Sequence, residues 1–350
     1  MNQPEPDFAV MEKVLYNEEP SRIPFYEHLV DVEIMEEIMD FRIPSFQEEG
    51  EGYCKRLIEF YYELGYDYVP FELRPRFPAT SHVRGKDTAL YGRGERSWAD
   101  EHGGSIETLE DLEAAHWPPV EEAFDYAGFE KVGELLPPGM KVIGGASGGP
   151  FEHASFIMGL EKLSLAVYRQ PELVEELFRK IGERLVGIAE KLARMDFVGA
   201  YRFGDDLGYK SGTMFSPELL KKHVFPWYEK IVQATHEAGK PFLLHSCGNL
   251  EEVMGEIIET GIDAKHSFED VITPVDEAKR RWGEDIAILG GVDVDFICQR
   301  TPQEVKEYTF RILEECAPGG GYALGTGNSV PNYMPVDNYL AMLEAGREFK

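Results

Sequence analysis

The segment Pro241-Phe-Leu-Leu-His-Ser-Cys-Gly-Asn249 places an imidazole and a thiol two positions apart, where an apolar run ends at a glycine. In an extended chain, side chains at i and i+2 leave the same face. His245 and Cys247 can therefore aim at one point, and imidazole nitrogen and thiolate sulfur are good zinc ligands. The spacing alone suits a packed histidine and a buried thiol equally well. Cys54, Cys298 and Cys316 fall in helical or helix-flanking segments and read as small buried hydrophobes. Four cysteines in a chain of 350 residues give no disulfide framework.

Other apolar runs also stop at polar groups. Phe203-Gly is followed by Asp205 and Asp206, and a further run ends in His266-Ser-Phe-Glu269-Asp270. Gly290-Gly-Val leads to Asp293 and Asp295, Gly325-Thr-Gly leads to Asn328, and an earlier run carries Glu72. Such clustering suits metal binding or general acid/base work, with Asp205, Asp206, His266 and Glu269 as the candidate catalytic groups. A single carboxylate in such a place often only caps the next helix, the role expected of Asp270 and Asp295. The glycine-rich stretches 144–149, 319–321 and 325–327 match neither a dinucleotide fingerprint nor a phosphate loop, and read as tight turns.

These residues need a scaffold that brings strand ends together. Eight apolar runs read as strands: Arg22–Glu27, Asp67–Glu72, Lys141–Ala146, Gly199–Phe203, Phe242–His245, Ala264–Phe268, Ala287–Gly290 and Tyr322–Leu324. Helical patterns alternate with most of them, which predicts a parallel sheet with crossover helices. Eight is the number that closes a (β/α)8 TIM barrel, whose active sites lie at the carboxyl ends of the strands. Pro171 opens a helix with Leu173, Leu177, Ile181, Leu185 and Ile188 at helical spacing, and Ser216-Pro217-Glu218 reads as a helix start. Thr301-Pro-Gln-Glu304 repeats that grammar, with Glu304 completing a capping box. Residues 75–140, rich in Arg, Gly, Pro and Trp, read as a long insertion after the second strand. It is expected to fold over the barrel mouth as a lid and to offer Arg84, Tyr91 or Trp98 to the pocket. The whole chain, 1–350, is read as a single barrel domain.

Composition narrows the function. Hydrophobic residues make up 43% of the chain, enough for a large core. No apolar run approaches a membrane span, and the polar, acidic start lacks a signal-peptide pattern, so a cytoplasmic protein is expected. The formal charge of −29 speaks against nucleic acid and against anionic membrane surfaces as partners.

With these motifs in place, the chain resembles the uroporphyrinogen decarboxylase superfamily, which includes cobalamin-dependent methyltransferases. The resemblance runs from Arg22-Ile-Pro-Phe to the last helix. It is strongest at His245-Ser-Cys-Gly-Asn249, Gly290-Gly-Val-Asp293 and Ala317-Pro-Gly-Gly-Gly-Tyr-Ala-Leu-Gly-Thr-Gly-Asn328. It implies a (β/α)8 barrel. True decarboxylases carry an arginine-rich N-terminal motif, whereas this chain reads Ile23-Pro-Phe-Tyr-Glu-His-Leu29. The methyltransferase branch binds zinc through His-x-Cys and a later cysteine. His245 and Cys247 match the first part, and Gly320 stands at the later position. A third ligand is then expected from Glu269, Asp205 or Asp206, and Asp293 and Asn328 become candidate cofactor contacts. The resemblance implies a zinc-dependent enzyme that moves a methyl group from a small methylated compound, such as an aryl methyl ether or a methylamine-like molecule, to a corrinoid protein. Tyr26 and His28 would shape the pocket. Two alternatives stand beside it. One is a decarboxylase-like lyase using Asp205, Asp206 and His266 as acid/base groups on a smaller acid. The other is a non-catalytic ligand-binding barrel. The sequence names no oligomeric state.

Overall fold

Seven of the eight expected strands form one parallel sheet. They are β1 (Tyr68–Leu73), β2 (Lys141–Ala146), β3 (Val198–Gly204), β4 (Phe242–His245), β5 (Ala264–His266), β6 (Ala287–Leu289) and β7 (Tyr322–Ala323), each paired with the next in chain order. The structure is a computed structural model and describes residues 5–78, 82–92, 94–99 and 103–349. The sheet curls into a TIM-barrel fold, and its strands are buried, as parallel strands covered by helices must be.

The first expected strand is reduced to a single parallel bridge between Phe25 and Leu324. Tyr26 N–H donates to Leu324 O at 2.7 Å, and Leu324 N–H donates to Pro24 O at 2.9 Å. On its other side a side chain spans the seam to β1. Glu27 N–H donates to the Tyr68 hydroxyl at 2.8 Å, and that hydroxyl donates to Glu27 O at 2.7 Å. Prolines explain the thin ladder: Pro24 and Pro70 have no N–H to give, and proline is tolerated in strands chiefly at edges.

Helices cover the sheet. α1 (Gly50–Glu63) precedes β1, and α2 (Tyr126–Leu135) joins β1 to β2. α3 (Pro150–Met158) and α4 (Pro171–Leu192), with a further helix over Leu160–Arg169 between them, lead from β2 to β3. Leu173, Leu177, Ile181, Leu185 and Ile188 of α4 are all buried, as their spacing predicts. Thr301 and Glu304 form the expected capping box of the helix Pro302–Cys316. Among the described residues, no helix is long and apolar enough to cross a membrane.

Residues 75–140 divide into two parts. An antiparallel hairpin pairs His82–Lys86 with Glu95–Ala99. It is tied to the segment after β7 by Tyr91 N–H donating to Asn332 O at 3.0 Å, and by the Asn332 amide donating to Asp87 at 2.9 Å. The remainder joins the outer layer: α2 packs on α1 and β1, and Phe129 lies against Phe71 and Phe124.

A candidate metal centre at the carboxyl-terminal rim

β4 delivers His245 at its carboxyl end, and the loop that follows turns Cys247 back beside it. Gly248 makes this turn with φ of +88°. A Cβ there would sit 2.2 Å from the backbone of Gly208, so both conformation and space require glycine. Asp206, just past β3, completes the group. His245 Nε2 lies 3.4 Å from Cys247 Sγ and 3.9 Å from Asp206 Oδ1. Cys247 N–H donates to the same Asp206 oxygen at 2.8 Å. One donor atom from each of the three lies within 4.8 Å of the others. Imidazole, thiol and carboxylate at such spacing form a donor set that fits zinc.

Burial sets the protonation of the imidazole and the thiol. Burial pushes the Cys247 thiol up to about 12, and the Asp206 charge adds to that. Burial also holds His245 well below the usual imidazole range, helped by His266, Lys265 and Arg202. Without a cation the imidazole is thus neutral and the sulfur a thiol; a bound dication would favour the thiolate. Two more groups face the sulfur: the Asn328 amide at 3.3 Å and the Ser267 hydroxyl at 3.6 Å. Lys265 ties the ends of β4 and β5 together. Its buried ammonium donates to the carbonyls of Ser246 (3.2 Å), His266 (3.2 Å) and Ser267 (2.9 Å). Ser267 sits at φ of +86°, a left-handed conformation rare outside glycine, which such tethering sustains.

Asp206, His245, Cys247 and Asn328 line a rim cavity of about 360 Å³ together with His28, Glu72, Arg74, Glu152 and Phe156. Glu72 is held by the fully buried Arg202, whose Nε donates to it at 2.6 Å and whose Nη1 donates to His28 O at 2.9 Å. The carboxyl of Glu152 is pushed well up by burial, then by Asp205 and Asp206.

The remaining expected residues take other places. Asp205 is fully buried and caps the start of α3. Its oxygens accept from Phe151 N–H (3.1 Å), Glu152 N–H (2.7 Å) and the Tyr228 hydroxyl (2.8 Å). His266 is fully buried behind His245, with its Nδ1 at 2.8 Å from His245 Nδ1 and its Nε2 at 3.0 Å from Thr326 O. Glu269 stands apart from the donor trio and accepts from the Asn328 amide at 3.4 Å. Asp293, not Asp295, caps the helix Val294–Gln299, accepting from Phe296 N–H at 2.9 Å and from Asp270 N–H at 3.0 Å. Asp270 accepts from the Tyr308 hydroxyl instead of capping a helix. His28 stacks on His245 with ring centroids 3.8 Å apart, and Tyr26 packs edge-on against His266. Arg84 and Tyr91 are not among the residues lining the cavity, and the side chain of Trp98 lies outside the described residues.

Glu152 and Arg202 were not anticipated. Glu152 follows the glycine-rich turn 144–149 and Pro150 at a helix start, a pattern that aims a first-turn carboxyl at the rim. Arg202 stands among apolar neighbours in Tyr201-Arg-Phe203, which marks a charge facing the barrel interior.

Comparison with known proteins places this architecture. Residues 104–349 match the family described as uroporphyrinogen decarboxylase (URO-D). The chain belongs to that family. Its similarity extends to both branches. It is 28% identical over 210 residues to a methylated-thiol–coenzyme M methyltransferase of Methanosarcina mazei, covering 57% of this chain and 51% of that protein, so the match spans about half the relative's length. It is 25% identical over 224 residues to the methylcobamide:CoM methyltransferase MtbA of Methanosarcina acetivorans, covering 63% and 61%. It is 22% identical over 258 residues to a uroporphyrinogen decarboxylase of Coxiella burnetii, covering 70% and 68%. Among solved structures, a methyltransferase from Methanosarcina mazei superposes with a TM-score of 0.71 over 97% of both chains at 16% identity, which shows the shared fold.

Proposed function

We propose that this URO-D family member is a zinc-dependent methyltransferase that passes a methyl group from a small methylated compound to a corrinoid protein. The observation that carries the reading is the convergence of His245 Nε2, Cys247 Sγ and Asp206 Oδ1 in the rim cavity. These three residues would hold the ion, and zinc bound there supplies Lewis acidity toward the heteroatom bearing the methyl group. The names of the methyltransferase relatives point to the same class of reaction.

The chain's own groups supply the rest. Burial pushes the carboxyl of Glu152 well up at the cavity wall, and in its protonated form it can donate a hydrogen bond to a heteroatom as negative charge develops on it. Phe156 and His28 give the cavity apolar faces that orient a small substrate, and exposed Arg74 offers a positive charge at its edge. The lyase alternative needs Asp205, Asp206 and His266 in contact with substrate, and of these only Asp206 lines the cavity; the other two do not. Both are fully buried, with their polar atoms already engaged.

The test is metal analysis of the purified chain, followed by an assay with a reduced corrinoid protein across a panel of methyl thioethers, methoxylated and N-methylated compounds. The absorption change of the cobalt centre on methylation is the readout. Zinc at one per chain and turnover that is lost in Cys247→Ser and Asp206→Asn are expected. Decarboxylation of a porphyrinogen by the isolated chain would overturn the reading.

A further inference from the structure

Among the described residues, two groups of donor atoms overlap at His245. One is Asp206, His245 and Cys247; the other is His28, His245 and His266. The hydrogen bonds behind His245 distinguish them. We propose that His266 is a positioning residue, which through a one-way chain from His245 to His266 to the Thr326 carbonyl fixes His245 with a bare Nε2 facing Cys247 and Asp206. The inference rests on the metal-centre reading above, and its primary test does not.

The direction follows from what each atom can do. The Thr326 carbonyl can only accept, so His266 Nε2, 3.0 Å away, must carry a proton. That carbonyl also accepts from Gly291 N–H at 3.1 Å, which fixes its orientation. A neutral imidazole has one N–H, so His266 Nδ1 is then an acceptor. His245 Nδ1, 2.8 Å away, must donate to it. His245 therefore has no proton on Nε2, and its lone pair points toward Cys247 Sγ at 3.4 Å. The competing arrangement needs a doubly protonated, cationic His266. That ring is fully buried, and its two hydrogen-bond partners, an imidazole and a carbonyl, carry no negative charge to balance a positive one. The second donor group is set aside by the same bonds: both nitrogens of His266 are spent, so it has no lone pair to offer a metal. Gly290 leaves the space for this chain, since a Cβ there would meet Thr326 O at 2.3 Å and His266 Nε2 at 2.8 Å.

The hydrogen bond made by the outer nitrogen of a metal-bound imidazole sets its tautomer and basicity, and loss of such a partner typically weakens metal binding about 10–100-fold. His266→Gln keeps an acceptor for His245 and a donor for Thr326, whereas His266→Phe keeps the ring volume and neither bond. The primary experiment is long-range proton–nitrogen correlation NMR on the metal-free chain labelled with 15N-histidine. The expected result is a proton on Nδ1 of His245 and on Nε2 of His266. A proton on Nε2 of His245, or a cationic His266, overturns the proposal whether or not the chain binds zinc. The second experiment is competition titration of zinc, and of cobalt(II) by its absorption spectrum. His266→Phe is expected to lose about 10–100-fold in affinity, with His266→Gln recovering most of it. Equal affinity in the two variants, or better binding in His266→Phe, overturns the proposal. If His266→Phe fails to fold, as judged by circular dichroism, the tautomer measurement on the unmodified chain decides alone.

Discussion

Replacing Glu27 by glutamine tests the polar interior of the barrel. Glu27 is fully buried, and burial raises its carboxyl to about 8, against the two hydrogen bonds from Thr326 that favour the ionised form. Hydrogen-bond accounting agrees that the acid is neutral. The Thr326 hydroxyl lies against both Glu27 Oε2, at 2.5 Å, and the carbonyl of Asn328. A hydroxyl has one proton and the carbonyl can only accept, so both contacts are satisfied when Glu27 donates to Thr326 and Thr326 donates to Asn328. The sign of the pH effect follows. Below about pH 4.5 the carboxyl is protonated in both folded and unfolded chains, and its contribution to stability is fully present. Between there and about pH 8 the unfolded chain ionises while the folded chain keeps its proton, so stability falls as pH rises. The slope is about 1.4 kcal/mol per pH unit, with a ceiling of roughly 5 kcal/mol across the interval. Glutamine preserves the neutral donor and acceptor and removes the titration. Urea unfolding of both proteins at pH 5, 6, 7 and 8 is the assay. Nearly equal stability at pH 5 and a growing advantage for Glu27→Gln toward pH 8 are expected. Parallel curves for the two proteins would show that Glu27 is ionised in the fold and would refute the accounting.

The neighbouring aspartates should separate cleanly. Asp205→Ala leaves two N–H groups and the Tyr228 hydroxyl without their acceptor, and is expected to lower stability by about 2–4 kcal/mol in denaturant titration. Asp206→Asn should leave the unfolding midpoint nearly unchanged and lose most bound zinc by elemental analysis; full zinc retention would remove Asp206 from the ligand set. Zinc occupancy should fall as pH is lowered, because the Cys247 thiol must give up its proton on binding, and equilibrium dialysis across pH 5–8 measures it. Thr301→Ala removes one half of an observed capping box and should cost about 1 kcal/mol, read as a lower thermal midpoint with metal content unchanged.

Local sequence determined a good deal about this protein. The two-residue repeat of an extended chain predicts that His245 and Cys247 pair, and the structure places both on one cavity, with Cys247 in the loop that follows β4. The buried face of α4 and the Thr301 capping box are likewise written in neighbouring residues. Seven of the strands follow from apolar runs alone, whereas the eighth dwindles because two prolines and the seam geometry deny it a ladder. The choice among Asp205, Asp206 and Glu269 lay beyond local pattern. Adjacent residues at a strand exit leave in different directions, so Asp205 turned to the start of α3 while Asp206 turned to the rim. The partners of His245, and the groups that hold them, come from segments far apart in the chain: His28 near the start, held by Arg202 of β3, and His266 of β5, held by Thr326 beyond β7. Periodicity says which side of its own strand a residue faces; closure of the barrel decides which of those faces meet, and so which nitrogen of His245 is left to bind a metal.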